Sequence, residues 1–387
     1  MSGGAALDLV VTGGRYLTDG LADGDDIGFR DGAVAEIGPG LTARAARTID
    51  ARGGIVAPGL VDTHGHFFVK GHKSAADPLR LALRSGATTL VDGGTTGSVI
   101  FPAFAEYVAR PNPVTLLGFV NISALGLAGG RHGVPDLFDP RLLNVDETTD
   151  AIRSNRDIAV GVKVRADVTA VPPDSLLATL DAAREIAAAT GTRLMVHAGD
   201  SGHPLAAILE RLAPGDILTH VFHGADSTIL DEQGRIGAPV LEARERGILF
   251  DVGHGGSHHF DLALARTAID QGFVPDLYSS DMLTVPPTFA VPPVPINDVL
   301  SIFLDLGVDL PALVASATSV AARAIGRDDE LGALRVGARD LVVLRLAEEP
   351  FEYHDAHGER GTGTRHLVPE TVIARGRVLE PATASAA

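Results

Sequence analysis

Two histidines stand one residue apart at the end of an apolar run. Residues 58–63, Pro-Gly-Leu-Val-Asp-Thr, lead directly into His64-Gly65-His66. Side chains two positions apart on a β-strand point to the same face, so both imidazoles can reach one point at the end of the strand. This is the spacing of a pair of metal ligands, although a His-x-His sequence also occurs by chance.

Later strand-like runs also end in side chains of metal-binding type. These side chains are Lys163, His197, His220 and Asp281. The chain has no cysteine, so nitrogen and oxygen atoms must hold any transition metal. Taken singly, each histidine could be a hydrogen-bonded core residue and Asp281 a helix cap. The recurrence of such residues at successive strand ends favours one shared metal centre.

Lys163 is unusual because the chain otherwise relies on arginine for its positive charge. Of the 32 basic residues, only Lys70, Lys73 and Lys163 are lysines. An unpaired ammonium inside a strand is strongly disfavoured by loss of solvation. A neutral lysine amine can react with carbon dioxide and give a carbamate, an anionic ligand able to bridge two metal ions, and arginine cannot. The alternative is an ordinary buried pair of a lysine with a carboxylate.

The middle of the chain alternates strand-like runs with helical patterns. The runs cover residues 55–61, 88–91, 115–121, 159–164, 193–196, 217–221, 247–252 and 276–279. Intervening segments such as 174–190 and 204–212 have apolar residues at spacings of three and four. Eight strands alternating with helices predict an α/β fold with a closed parallel (β/α)₈ barrel of the TIM type, whose active site lies at the carboxyl ends of the strands. An open doubly wound sheet is the alternative, but no G-x-G-x-x-G follows the early strands.

The two ends of the chain have a different pattern from the middle. Short alternating apolar runs, separated by Gly and Asp turns, occupy residues 7–56 and 337–379. This pattern predicts small antiparallel strands that pair into one β-sandwich beside the barrel. The predicted domains are therefore the sandwich, from residues 1–56 and 333–387, and the (β/α)₈ barrel, from residues 57–332.

Several longer motifs accompany the candidate ligands. Residues 58–66, the candidate ligands and the closing Gly-Ala-Leu-Arg-Val-Gly-Ala-Arg-Asp-Leu at 332–341 resemble the amidohydrolase superfamily of metal-dependent hydrolases. Gly-Val-Lys-Val-Arg at 161–165, Thr-His-Val-Phe-His-Gly at 219–224 and Phe-Asp-Val-Gly-His-Gly at 250–255 look like its amidohydrolase/deacetylase branch, which is often labelled dihydroorotase. The similarity extends over nearly the whole chain, to Arg377. Two departures stand out, His258-His259 where a serine-phenylalanine type of sequence is expected, and Arg339 in place of alanine.

The resemblance implies a site for two zinc ions, although manganese, iron or cobalt suit the same ligands. Carried over to this chain, one ion is bound by His64, His66 and Asp281, and the other by His197 and His220. N6-carboxylated Lys163 and a hydroxide bridge both. Two such ions make hydroxide available near neutral pH and polarise a carbonyl, and catalytic Asp281 passes the proton of the nucleophile to the leaving nitrogen or oxygen. A Ser-His-Asp mechanism is the rival, but the chain has no G-x-S-x-G.

The branch suggests hydrolysis of an ester or amide bond in a small acylated acid, such as acetyl-mandelate, another acetyl-2-hydroxy acid or an N-acyl amino acid. A cyclic amidase of the dihydroorotase or hydantoinase type is the first alternative. The alternative from another class is a relative that binds metal without catalysing a reaction. Such a relative would be expected to lack some of the metal ligands, whereas all six candidate ligands are present here.

Substrate contacts are predicted at three residues. Arg165 lies two residues after Lys163 and could bind a substrate carboxylate, or it could pair with an acid such as Asp200. His223 and His254 could donate to substrate oxygens or simply orient neighbouring groups. The roles of three further histidines stay open: His132, His258 and His259.

Composition narrows the range of partners. The formal charge of −17 repels nucleic acid and anionic lipid, so we expect a small-molecule substrate and neither a nucleic-acid nor a membrane partner. No stretch approaches the roughly 18 consecutive apolar residues of a spanning helix, and no basic leader precedes an apolar run. We therefore expect a cytoplasmic enzyme, for which homo-oligomerisation is open.

Overall fold

The computed structural model describes residues 5–17, 21, 23–129, 133–256, 259–285, 291–355 and 357–380. Their β-strands are β1 Leu7–Thr12, β2 Asp26–Arg30, β3 Ala33–Gly38, β4 Ala45–Asp50, β5 Ile55–Pro58, β6 Leu60–Gly65, β7 Ala87–Asp92, β8 Thr115–Asn121, β9 Ala159–Ala166, β10 Arg193–Ala198, β11 Ile217–Thr219, β12 Leu249–Asp251, β13 Leu341–Ala347, β14 Phe351–His354, β15 Arg360–Gly363, β16 His366–Ala374 and β17 Arg377–Val378. Their α-helices are α1 Pro78–Ser85, α2 Phe101–Phe104, α3 Val145–Ser154, α4 Pro173–Thr190, α5 Leu205–Leu209, α6 Ala238–Glu245, α7 Leu262–Asp270, α8 Ile296–Asp305, α9 Leu310–Ser316 and α10 Ser319–Ala324.

The strands β6 to β12 form one curled parallel sheet in which neighbours in sequence are neighbours in space. An eighth extended segment lies between its two edges. Leu277 forms a parallel bridge with Asp251 of β12, and Met282 forms one with Gly65 of β6. These bridges close the ring and confirm the predicted (β/α)₈ barrel.

The helices cover the outside of the ring because each has one apolar face. In α4, the longest of the described helices, Leu176, Leu180, Ala183 and Ala187 recur at spacings of three and four and are fully buried. Inside the ring, a separate apolar cluster includes Val61, Val91, Leu117, Val160, Met195, Ile217 and Leu277 and packs against α10. The barrel is therefore filled with side chains below the level of the strand ends, which leaves the carboxyl ends for polar groups.

The chain termini form the predicted small β-sandwich. One sheet has the order β3-β2-β1-β4 and the other has the order β17-β16-β13-β5, and Val11, Phe29, Val343 and Ile373 belong to the apolar cluster between them. One pairing differs from the antiparallel expectation, since β4 runs parallel to β1. The domain boundaries stay a prediction.

The first predicted barrel strand is divided in two. Ile55–Pro58 pairs antiparallel with β13 in the sandwich, and only from Leu60 does the chain enter the barrel. The division falls at Gly59, where an added Cβ would lie 2.0 Å from Thr88 Oγ1. Only glycine fits this close approach, so the chain can pass from one sheet to the other here.

In the part of the chain that the structure describes, no helix combines the length and the apolar composition needed to cross a membrane.

Candidate metal centre

Six side chains predicted from the sequence meet at the carboxyl ends of the barrel strands. They are His64 of β6, His66 just after it, Lys163 of β9, His197 of β10, His220 directly after β11, and Asp281 of the eighth segment. Parallel strands place their carboxyl ends at the same rim, which explains how residues so far apart in sequence converge. All except His66 are buried, and the His66 side chain is only 13% exposed.

One group of ligand atoms comprises His64, His66 and Asp281. Nε2 of His66 lies 3.3 Å from Oδ1 of Asp281, and Nε2 of His64 lies 3.5 Å from the same oxygen. The ligand atoms of the three residues all lie within 4.8 Å of one another, and together they could hold a metal ion. Two imidazoles and a carboxylate suit a divalent transition metal such as zinc.

A second group adjoins the first. The rings of His197 and His220 have centroids 4.2 Å apart, and His220 Nε2 lies 4.0 Å from Oδ2 of Asp281. Nζ of Lys163 lies 2.9 Å from Nε2 of His64. The Asp281 carboxylate thus faces both groups, and the lysine amine reaches the first of them.

The second group contains a histidine to which the sequence analysis assigned no role. His259 stacks on His220 with ring centroids 4.1 Å apart, and it lies edge-on to His197 at 4.9 Å. The ligand atoms of His197, His220 and His259 lie within 4.8 Å of one another. The only signal in the sequence was the departure from the family pattern at this position.

Two threonines orient the histidines of the first group. Thr95 Oγ1 donates to Asp92 Oδ2 at 2.8 Å, so its oxygen accepts from Nδ1–H of His66 at 2.7 Å. Thr219 Oγ1 donates to Asp251 at 2.6 Å and accepts from Nδ1–H of His64 at 3.1 Å. Both arrangements place the ring proton on Nδ1 and leave the Nε2 lone pair for a metal.

The sequence analysis did not single out these four orienting residues. Their positions at or near strand ends were visible, but the pairing of each threonine with a particular histidine depends on contacts between distant strands. For His64 and Thr219 the separation is 155 residues.

The buried atoms of the second group fit a cation. His220 Nδ1 lies 2.6 Å from the carbonyl oxygen of Gly253, to which it donates. Its Nε2 therefore has a lone pair and finds no hydrogen-bond partner among the described residues, although the side chain is fully buried. A buried nitrogen without a partner is costly, and coordination of a metal ion would satisfy it.

The electrostatics of the centre favour neutral imidazoles beside a carboxylate. Burial lowers the pKa of His64, His197 and His220 well below the ordinary value, which keeps these rings neutral. Burial would raise the pKa of Asp281, but the adjacent His64 and His66 outweigh it and lower that pKa. Burial also lowers the pKa of Lys163 to about 7, so much of this amine is neutral near neutral pH.

Two residues of the centre have a left-handed backbone. His220 has φ 64° and Asp281 has φ 45°, a region that side chains with a Cβ rarely occupy. Such strain is typical of functional sites, where the surrounding structure enforces it. In this barrel it aims both side chains inward at the ends of their strands.

Comparison with known proteins places this centre in a family. The amidohydrolase family profile matches residues 55–379. The chain belongs to the amidohydrolase family. It is therefore a hydrolase, and the resemblance seen in the sequence is confirmed.

Several amidohydrolase relatives match over nearly their full length. A deacetylase from Brucella anthropi is 28% identical over 379 residues, covering 96% of this chain and 93% of the relative. A deacetylase from Agrobacterium fabrum is 31% identical over 349 residues, covering 89% of this chain and 83% of the relative. A crystal structure of an adenine deaminase has a TM-score of 0.89 at 26% identity and covers 97% of this chain and 100% of its own. A crystal structure of a dihydroorotase has a TM-score of 0.86 at 28% identity, and the match covers 96% of this chain and 97% of the dihydroorotase chain.

Beside the metal centre of this amidohydrolase lies a cavity of about 320 Å³. Its walls include three histidines and two aspartates, which are His197, His223, His259, Asp167 and Asp200. Its volume lies at the lower end of the range for small-molecule sites. The cavity is continuous with the second group of ligands because His197 and His259 belong to both.

The three predicted substrate contacts differ in their surroundings. Arg165 lies on β9 two residues beyond Lys163 and pairs with buried Asp136 at 3.1 Å, not with Asp200. His223 faces the cavity, and its Nδ1 accepts a hydrogen bond from the amide of Ala225 at 3.2 Å. The ring proton is therefore on Nε2, which is free to donate a hydrogen bond to a substrate oxygen.

His254 does not line this cavity. It is buried with its ring 4.9 Å from that of Phe260, and its Nδ1 has no hydrogen-bond partner among the described residues. Burial lowers the pKa of both His223 and His254 to about 4. His132 and His258 lie outside the described residues.

Proposed function

We propose that this amidohydrolase is a binuclear metal enzyme that removes an acyl group from a small acid by cleaving an ester or amide bond. The observation that supports the proposal most directly is the position of Asp281. Its carboxylate lies 3.3 Å from His66 on one side and 4.0 Å from His220 on the other, between two groups of histidine nitrogens. A single buried carboxylate shared in this way suits a site for two adjacent cations.

The proposed ligands divide between two divalent ions, most simply zinc. His64, His66 and Asp281 would hold one ion, His197 and His220 the other, and carboxylated Lys163 would bridge them. When bound, the ions supply Lewis acidity, which lowers the pKa of a shared water and polarises the carbonyl of the substrate. Burial keeps His64, His197 and His220 neutral, so these rings would not offset the positive charge of the ions.

The surroundings of Lys163 support its carboxylation. Its side chain is buried next to His64 and to Met195 Sδ, which lies 3.3 Å from Nζ. Burial lowers the pKa of this amine to about 7, and the neutral amine adds to carbon dioxide. The N–C bond forms as one proton leaves nitrogen, giving a carbamate with two oxygen atoms. An uncharged or anionic group is better suited to this position than an ammonium beside two cations.

Asp281 is the proposed catalytic residue for proton transfer. Its low pKa keeps it ionised in the resting site, so it can accept a proton from the attacking water. It would then deliver that proton to the leaving oxygen or nitrogen. Its left-handed backbone and the Gly65–Met282 bridge beside it hold the carboxylate in one place while the proton moves.

The proposed substrates are acetyl-2-hydroxy acids such as acetyl-mandelate, and N-acyl amino acids. Two relatives are named deacetylases, which supports an acyl group as the part that is removed. Arg165 supports a carboxylate on the part that remains, because Asp136 receives only one of its five N–H donors. The neighbouring cavity of about 320 Å³ is sized for a small acid.

A cyclic amide is the second candidate substrate. A solved dihydroorotase is 28% identical over nearly the whole chain, and cyclic amides are opened by the same attack of water on a carbonyl. Shared metal ligands do not decide between these substrates, because one site chemistry serves many substrates on this fold.

Two measurements test the proposal. The metal content of protein purified without chelator should be two ions per chain. A panel of acetyl-mandelate, N-acetyl amino acids, dihydroorotate and a hydantoin should then show turnover of the acylated acids. Turnover of dihydroorotate alone would replace the substrate class, and metal-free protein that stays inactive after zinc addition would overturn the mechanism.

A further inference from the structure

His259 forms a cluster of three imidazole rings with His197 and His220. Its ring lies parallel to His220, with an interplanar angle of 26° and centroids 4.1 Å apart, and nearly perpendicular to His197, at 86° and 4.9 Å. The ligand atoms of the three rings lie within 4.8 Å of one another. One residue of this cluster, His220, has a buried Nε2 with no hydrogen-bond partner among the described residues.

We propose that His259 is a ligand of the second metal ion, which would then be held by the three imidazoles of His197, His220 and His259. This inference rests on the proposed function, because it adds a ligand to one of the two ions proposed above. The ligand atoms of the three rings are close enough for one cation to contact all of them. His64, His66 and Asp281 form the more oxygen-rich counterpart.

Gly255 lies against both His259 and Asp281. At Gly255, φ is 53° and an added Cβ would lie 2.6 Å from Cδ2 of His259 and 2.7 Å from Oδ2 of Asp281. The amide of His259 donates to the carbonyl of Gly256 at 3.2 Å. Only glycine leaves room for both His259 and Asp281 beside the backbone at this point.

A three-imidazole site has chemical consequences of its own. Nitrogen donors bind zinc, nickel and copper more strongly than manganese, whereas a carboxylate also suits manganese. The two sites should therefore differ in metal preference and in resistance to chelators. His259 also lines the cavity of about 320 Å³, so the ion that it binds would border the space proposed for substrate.

The experiment measures metal binding, not activity. Wild type, His259→Ala and His259→Phe are loaded with zinc and dialysed against increasing concentrations of dipicolinic acid, and bound zinc is then measured. Phenylalanine keeps the ring that stacks on His220 but has no nitrogen, so it separates ligation from stacking. His357→Phe is the matched control, since His357 lines the same cavity but does not belong to either ligand group.

We expect both His259 variants to lose the second zinc ion at a chelator concentration at least about 10-fold lower than wild type. They should retain the first ion, which also reports that the barrel is folded, and His357→Phe should match wild type. Equal resistance of wild type and both His259 variants would overturn the inference, as would a weakened site in His259→Ala but not in His259→Phe. If the inference fails but the wild-type protein binds two ions and shows turnover, the proposed function still holds. A wild-type protein that binds no ions would overturn both the proposed function and the inference about His259.

Discussion

Thr219 contacts His64 from the far side of the barrel. Their hydrogen bond, 3.1 Å from Oγ1 to Nδ1, joins the first and sixth strands of the ring, and Asp251 on the seventh holds the same hydroxyl at 2.6 Å. One hydroxyl thus connects three strands at the level of the metal centre. It also determines which nitrogen of His64 is available to a metal ion.

Replacing Thr219 tests this connection. We expect Thr219→Val to lower metal affinity and turnover by about 10- to 100-fold, because His64 loses the acceptor that holds its ring. Metal titration and steady-state kinetics are the measurements. Thr89→Val is the matched control, since Thr89 is a buried threonine of β7 whose hydroxyl has no partner among the described residues. Equal activity of the two variants would show that the hydroxyl does not orient His64.

Arginine should not be able to replace Lys163. We expect Lys163→Ala and Lys163→Arg each to lower turnover by at least about 100-fold and to reduce bound metal, because neither side chain forms a carbamate. Short carboxylic acids such as acetate or propionate should partly restore Lys163→Ala by entering the space left by the lysine. They should not restore Lys163→Arg, which fills that space.

The control for these variants is Lys70→Ala, because Lys70 is exposed. Carbon-13 NMR of wild type equilibrated with labelled carbon dioxide should show a carbamate signal that is absent from Lys163→Arg. Full turnover of Lys163→Arg would rule out a carbamate as a required ligand.

His223 should make stability depend on pH in a definite direction. Burial lowers its pKa to about 4 in the folded protein, against about 6.5 when unfolded. Between these values the unfolded chain binds more protons, so the free energy of unfolding rises as pH increases from about 4 to 6.5, and this contribution is fully present above that window. It disappears as pH falls through the window and amounts to at most about 3 kcal/mol.

His223→Asn isolates that contribution, because the asparagine oxygen can still accept from the Ala225 amide. Denaturant unfolding at pH 4.5 and pH 7, if reversible, should give a smaller difference for the variant than for wild type. The other buried histidines contribute equally to both proteins and cancel in this comparison. An unchanged difference would show that His223 is not held neutral by the fold.

Arg165 should distinguish a charged substrate from a neutral one. For Arg165→Met we expect KM for an acylated acid to rise by about 10- to 100-fold, the effect of losing a charge-assisted hydrogen bond, while the methyl ester of the same acid is little affected. The comparison is best made in an Asp136→Asn background, because Asp136 is buried and loses its ion-pair partner in the single variant. Equal losses for acid and ester would assign Arg165 to structure alone.

The pattern of strand-like and helical runs was enough to predict the barrel, because burial on both faces leaves a continuous apolar signal in each inner strand. It also placed the six candidate ligands at strand ends, where the fold itself brings them to one rim. The start of the first strand was less visible, since Ile55–Pro58 is as apolar as a barrel strand but pairs with β13. The choice of partner strand depends on residues almost 300 positions later.

The sequence by itself determined the class of fold, the types of ligand available and the absence of cysteine chemistry. Only the tertiary structure decided that Thr95 and Thr219 orient two of the histidines, that Arg165 pairs with Asp136, and that His259 joins His197 and His220. The physical reason is that periodicity reports which face of an element is buried, whereas hydrogen bonds between distant strands depend on register and loop geometry. Those are settled only when the ring closes.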